Sequence, residues 1–137
     1  MTIRVIDETT IDLLEPADNA LVVSATMYMA QKIGFDENIR FLIASAVSEL
    51  ATNILRYAMR GQVLLRMVQD AEKLCFEVIA QDNGPGIARI KDAMQEHYSS
   101  GGGLGLGLPS VKRIMDEFEI DSKPGSGTRV VARKWRE

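Results

Sequence analysis

Glu49 and Asn53 stand four residues apart in Ser48-Glu49-Leu50-Ala51-Thr52-Asn53, a spacing that sets a carboxylate and a carboxamide on one face of a helix. The carboxylate can take up a proton, and the amide carbonyl can ligate Mg²⁺, a hard cation that prefers oxygen. Downstream, Asp82 closes an apolar stretch and leads into Asn83-Gly84-Pro85-Gly86. Glycines there permit close approach of the backbone to a ligand, and Asp82 can accept a hydrogen bond from an exocyclic amine. Gly101-Gly102-Gly103-Leu104-Gly105-Leu106-Gly107 has five glycines in seven positions and runs into a helix. Successive N–H groups in such a run favour phosphate oxygens. Gly125-Ser126-Gly127-Thr128 comes last.

Each feature alone also has a plain reading: a solvated helix pair, a turn, a flexible loop. Their order on one short chain points to a nucleotide pocket built without a Walker loop. The P-loop itself is excluded, because no Gly-Lys pair occurs anywhere. The dinucleotide-binding fingerprint is excluded too, because the glycine run follows polar His97-Tyr98-Ser99-Ser100 rather than a strand. His97 is the single histidine and has no orienting partner nearby in sequence, so Ser-His-Asp chemistry is not indicated.

The elements that must position these residues follow from periodicity and punctuation. Ile3–Ile6 reads as a short edge strand with a turn at Asp7-Glu8-Thr9. Glu15-Pro16 opens a helix that runs to Ile33 and stops at Gly34. Asp36 then caps a second helix, whose apolar stripe is Ile39, Leu42, Ile43, Ala46, Val47, Leu50 and Ile54. Its flank carries Ser45, Glu49, Asn53 and Arg56. Strands are expected at 62–68 and 74–81, joined as a hairpin by Asp70-Ala71-Glu72-Lys73. A helical turn is expected around 90–94 and a helix over 107–118, with Val111, Ile114, Met115 and Phe118 inward. Strands at 119–122 and 128–135, joined by Lys123-Pro124-Gly125-Ser126-Gly127, complete the chain. The sum is a single α/β domain over residues 1–137, with one mixed or antiparallel sheet and helices on one face.

Bulk properties agree with one packed core: 137 residues, 46% of them hydrophobic. The net charge is −3 and the pI about 5.2, with sixteen scattered Lys and Arg, so the electrostatic footprint of a nucleic-acid binder is absent. The single cysteine, Cys75, excludes an internal disulfide and supplies no zinc spacing; it reads as a small buried hydrophobe. Met27, Met29 and Met115 read as core fillers, while Trp135 either caps the sheet or marks a partner surface. No apolar run reaches the roughly 20 residues that span a bilayer, and the N-terminus lacks a signal-peptide pattern. The expectation is a soluble, cytoplasmic protein.

Taken together, the four motifs resemble the GHKL ATP-binding family of gyrase-type ATPases, Hsp90, histidine kinases and MutL. Glu49 with Asn53 matches the N box, Asp82-x-Gly84-x-Gly86 the G1 box, 101–107 the G2 box, and Gly125-x-Gly127-Thr128 the last. Within it the chain is similar, over nearly its whole length, to the small serine/threonine switch kinases of bacterial stressosomes. Ala46 to Ile54, Gln81 to Ile87, Ser99 to Pro109 and Val111 to Phe118 carry that likeness.

The resemblance implies a two-layer Bergerat-type sandwich and ATP with Mg²⁺. It implies adenine recognition by Asp82 beside Gly84 and Gly86, and Mg²⁺ held by Asn53. Gly101, Gly102, Gly103, Leu104, Gly105, Leu106 and Gly107 would form a lid over the phosphates. Thr128 would complete the base end, and Glu49 would act as general base. No Lys or Arg is marked out by the residues for the γ-phosphate; Arg56 is one candidate. It further implies phosphorylation of STAS-domain antagonist and scaffold proteins and, on release, activation of a PP2C-type phosphatase. Two other readings stay open: an anti-sigma kinase that sequesters a sigma factor, and a non-catalytic docking module gated by ATP.

Overall fold

A computed structural model describes residues 2–86, 94 and 107–137. The elements are β1 (Ile3–Leu13), α1 (Asp18–Ile33), α2 (Glu37–Asn53), a π-helical turn (Ile54–Ala58), β2 (Gly61–Asp70), β3 (Lys73–Asp82), α3 (Leu108–Ile114), β4 (Glu117–Ser122) and β5 (Thr128–Trp135). The expected helical turn at 90–94 and His97 fall outside the described stretches or touch them only at residue 94.

The five strands form one sheet in the order β1-β2-β3-β5-β4. All four pairings among the described residues are antiparallel. The hydrophobic alternation decides which face the helices cover. Phe76, Val78 and Ala80 of β3, with Val63, Leu65 and Met67 of β2, enter one buried cluster with Val22, Ile43, Val47 and Leu50 of the helices. Val130 and Ala132 of β5 and Leu108 and Val111 of α3 join it.

Local chemistry explains most boundaries. The Asp36 carboxylate accepts the Ile39 N–H at 2.9 Å and starts α2, as its cap position suggests. Gly34, at φ 106°, ends α1. The start of α1 lies at Asp18 rather than Pro16, because Asp18 turns back to accept the N–H groups of Leu14 and Glu15 at 2.8 and 3.1 Å. Asp7-Glu8-Thr9 is no turn; β1 continues to Leu13 with a register shift between Val5 and Asp7. A bulge absorbs the irregularity that the polar cluster signals.

Leu42 is 47% exposed, so it lies off the buried stripe of α2. The last helix ends at Ile114, with Met115 already extended (φ −87°, ψ 153°). Phe118 therefore belongs to β4, where strand alternation rather than helical spacing turns it inward. Met29 and Met115 fill the core, and Trp135 is held at the sheet margin by Asp116 and Glu117. Cys75 is fully buried, and burial pushes its thiol up to about 12, so it is inert as a nucleophile. No helix among the described residues is long and apolar enough to cross a membrane.

The outer face of the sheet carries a rung of alternating charge across all five strands. Glu8, Arg66, Glu77, Arg133 and Glu117 stand opposite one another in register. Arg66 reaches Glu8 at 2.7 Å and Glu77 at 3.4 Å; Arg133 reaches Glu77 at 2.7 Å and Glu117 at 3.1 Å. Glu77 is buried, and two guanidinium groups satisfy the charge that burial would otherwise penalise. Directly opposed unlike charges contribute about 0.2–1 kcal/mol per pair, and a slipped register loses them all.

Candidate active site

The site is built where α2 and the end of β3 meet two glycine-containing turns. Glu49 and Asn53 lie half-buried in the last turns of α2, on the flank of its buried stripe of Ile43, Ala46, Val47 and Leu50. What fixes the rotation of that helix is a polar clamp with no local signature. The Asn19 amide of α1 donates to Ser48 Oγ at 3.1 Å and to Thr52 Oγ1 at 3.3 Å, and its carbonyl accepts from Ser48 Oγ at 3.2 Å. Ser48 and Thr52 immediately precede Glu49 and Asn53, so the clamp sets the direction of both.

The opposite end of the site is organised around Asp82. Its Oδ1 accepts the Gly84 N–H at 2.8 Å. Burial pushes the Asp82 carboxyl above the usual carboxylate range, and hydrogen bonds from the Gly84 and Thr128 N–H groups partly oppose that rise. A half-buried carboxyl whose pKa is raised, at the border of a groove, is a candidate ligand-binding position. Thr128 pairs with Asp82 across β3 and β5. Its hydroxyl shares a 2.7 Å hydrogen bond with Ser122, which also donates to the Gly127 carbonyl at 3.0 Å.

Two close approaches hold this end together. Gly127 has φ 81°, and a β-carbon there would stand 2.9 Å from Asn83 Cα and nearer still to the Asp82 carbonyl oxygen. Gly84 meets the π-helical turn: a β-carbon there would lie 2.5 Å from Ala58 Cβ. That turn begins directly after Asn53, so it links the α2 residues to the Asp82 loop. Gly86 packs on the Lys123 carbonyl, and the Gly125 N–H donates to Pro85 O at 2.7 Å. The loop after β3 and the turn before β5 thus brace each other.

Gly127→Ala is expected to destabilise the protein by about 1–3 kcal/mol from backbone strain alone, with a further loss from prising Asp82 away from Thr128. Thermal unfolding of the variant measures it; an unchanged Tm would show that the turn tolerates a side chain.

Below Asp82 the sheet end opens into a groove of about 1010 Å³, bordered by Leu14, Met59, Thr128 and Arg129. Glu49 and Asn53 do not line it, so it borders the Asp82 end only. At the other end, Gly107 lies directly against the Glu49 carboxylate. Of the glycine run, 101–106 fall outside the described residues, so Gly101, Gly102, Gly103, Leu104, Gly105 and Leu106 are not placed. Arg56 is exposed on the π-helical turn.

The family model for the histidine kinase-like ATPase domain matches residues 14–134, which includes every residue placed above in the site. The chain belongs to the histidine kinase-like ATPase domain family. It is 46% identical over 107 residues to the serine/threonine-protein kinase RsbT of Bacillus subtilis, covering 78% of this chain and 80% of that protein. It is 35% identical over 97 residues to the anti-sigma F factor of Clostridium beijerinckii, covering 67% and 68%. The anti-sigma F factor of Caldanaerobacter subterraneus is 34% identical over 99 residues, covering 68% of each.

Membership fits the donors present. Among the described residues no group of three or more His, Cys, Asp or Glu is arranged to hold a metal by itself. A Mg²⁺ ion arriving with a nucleotide would need no such group, because it takes one or two protein oxygens and completes its shell with phosphates and water. The Asn53 amide oxygen suits that part.

Sequence reasoning missed Asn19 and the π-helical turn, because their partners lie 29 or more residues away or depend on a backbone detail. Ser122 did leave a trace: it continues the inward alternation of Phe118 and Ile120 in β4 with a hydroxyl.

Proposed function

We propose that this chain is an ATP-dependent protein serine/threonine kinase acting on STAS-domain antagonist and scaffold proteins in stress signalling. Once released from them, it binds and activates a PP2C-type phosphatase. The observation that carries the reading is the placement of Glu49 against Gly107, at the root of the glycine run, with Asp82 half-buried at the far end of the site. The similarity to a serine/threonine-protein kinase over 78% of the chain supports the same reading.

In this mechanism Asp82 receives the adenine amine, with Gly84 and Gly86 shaping the loop and Thr128 closing the base end. Asn53 offers its amide oxygen to Mg²⁺, which would neutralise charge on the phosphates. Backbone N–H groups of the glycine-rich stretch 101–107 would serve the phosphates. Glu49 accepts the proton of the attacking serine or threonine hydroxyl, whose oxygen bonds to the γ-phosphorus as the bond to the ADP oxygen breaks. Phosphoryl transfer asks mainly for positioning and charge neutralisation, which this set supplies.

The test is incubation of the purified protein with γ-labelled ATP, Mg²⁺ and a STAS-domain partner from the same genome. Label on a serine or threonine of the partner is the expected result. A tight complex without transfer would replace the kinase reading with an ATP-gated docking module. The matches to anti-sigma F factors support a second reading, a kinase that also sequesters a sigma factor. Capture of a sigma factor rather than a STAS protein would favour it.

A further inference from the structure

We propose that Gly107 is a positioning residue for Glu49: its missing side chain is the seat of the Glu49 carboxylate. The inference rests on the reading of Glu49 as general base and assigns Gly107 a part distinct from covering phosphates.

A β-carbon at Gly107 would fall well inside 3.0 Å of Glu49 Oε2 and 2.9 Å from its Cδ. Real β-carbons do not approach heavy atoms so closely, so one of the two groups must move. Neither backbone is free to do so. On the Gly107 side, the next residue, Leu108, is 2% exposed, Val111 is fully buried, and the Val111 N–H donates to Gly107 O at 3.3 Å. On the Glu49 side, Leu50 and Ala51 are core residues, and Asn19 clamps Ser48 and Thr52. The soft member is the Glu49 side chain, which can swing aside about its own torsions at little cost to the fold. A side chain at 107 therefore displaces the carboxylate while leaving the architecture standing. Gly107 also has φ 71°, which an L-residue resists, so backbone strain must be separated from the collision.

The experiment is a double-mutant cycle on the full chain, with single-turnover phosphotransfer to the STAS-domain partner and nucleotide Kd as separate readouts. Gly107→Ala brings both strain and collision. Gly107→Asn brings the collision in a residue that tolerates positive φ, and it serves if the alanine variant folds poorly. Both should lower the transfer rate by about 100-fold, the scale of an ångström-sized misplacement of a reacting group. Nucleotide Kd should change far less than the transfer rate at saturating ATP falls, because the displaced group is the base, and any part residue 107 takes over the phosphates shows in Kd alone. In a Glu49→Asp background the shorter side chain withdraws from Gly107, and the same substitutions should cost less than about threefold beyond Glu49→Asp itself.

Equal losses in both backgrounds, or a loss carried by weaker nucleotide binding, would overturn the role of Gly107 and leave Glu49 untouched. An unchanged rate in Gly107→Asn would overturn it too. Glu49→Ala measured alongside keeps the two readings apart, since wild-type transfer by that variant removes the base itself.

Discussion

Asp82→Asn is expected to weaken ATP binding by about 10- to 100-fold, the worth of a hydrogen bond to a charged group, while leaving the unliganded protein at least as stable at neutral pH. One carboxylate oxygen already accepts the Gly84 N–H at 2.8 Å. An asparagine that keeps the bonds from the Gly84 and Thr128 N–H groups through its carbonyl turns its NH₂ toward the ligand. The exocyclic amine of adenine would then face a donor instead of an acceptor, and both would be stripped of water.

The stability half of the prediction follows from the direction of the Asp82 shift. Burial raises its pKa in the folded state. Between the unfolded and folded values the folded protein therefore binds more protons than the unfolded chain. Stability from this group is present below the unfolded value and is lost as pH rises through the folded one. At neutral pH the ionised side chain is a burden on the empty protein, which asparagine removes. Isothermal titration with ATP and thermal melts at pH 4 and pH 7 check both halves. Unaltered ATP affinity would sink the adenine role. A melt lowered at pH 7 would show that the carboxylate is a structural support.

The second large effect is at Glu49. Glu49→Ala should reduce phosphotransfer by about 10²- to 10⁴-fold, the contribution of a well-placed general base, with ATP affinity little changed. The half-buried side chain lies against Gly107, away from the groove at the Asp82 end, so truncation removes no part of that end. Single-turnover transfer to the STAS-domain partner, with nucleotide binding measured in parallel, separates the two quantities. Unchanged transfer would remove Glu49 as the base. Loss of ATP binding together with transfer would mean that the carboxylate organises the nucleotide instead.

The local geometry of the candidate site was legible from residue types because its parts are close in sequence. Glu49 with Asn53 is an i, i+4 pair, and the turn after Asp82 uses glycines within five residues of one another. Short-range physics suffices for such features: helical spacing, caps at Asp36 and Gly34, and a hairpin whose tight turn places Ala71 at φ 56°. Sequence periodicity failed where a tertiary partner decided the outcome. Phe118 fits a helix and a strand equally well, and it is pairing of β4 with β5 that makes it a strand residue. Asp7 to Thr9 look like a turn until β2 supplies a partner for them. Leu42 shares the helical stripe by spacing but finds no facing element among the described residues and remains exposed. The Asn19 clamp joins residues 29 and 33 positions apart, beyond the reach of any local pattern.

The charge rung on the outer sheet face also bears on how the protein behaves when crowded. Its outermost members are both acidic, Glu8 on β1 and Glu117 on β4, and these strands are the two edges of the sheet among the described residues. Glu119 and Asp121 add to one edge, Asp7 and Asp12 to the other. An unpaired edge is a template on which a second molecule can extend the sheet. Acidic residues outnumber the one basic residue, Arg4, on these two strands, so edge-to-edge approaches bring mainly carboxylates together, and the bulge after Val5 bends the longer edge out of line. The alternation that pins the strands within one molecule thereby discourages its copies from polymerising through their sheets.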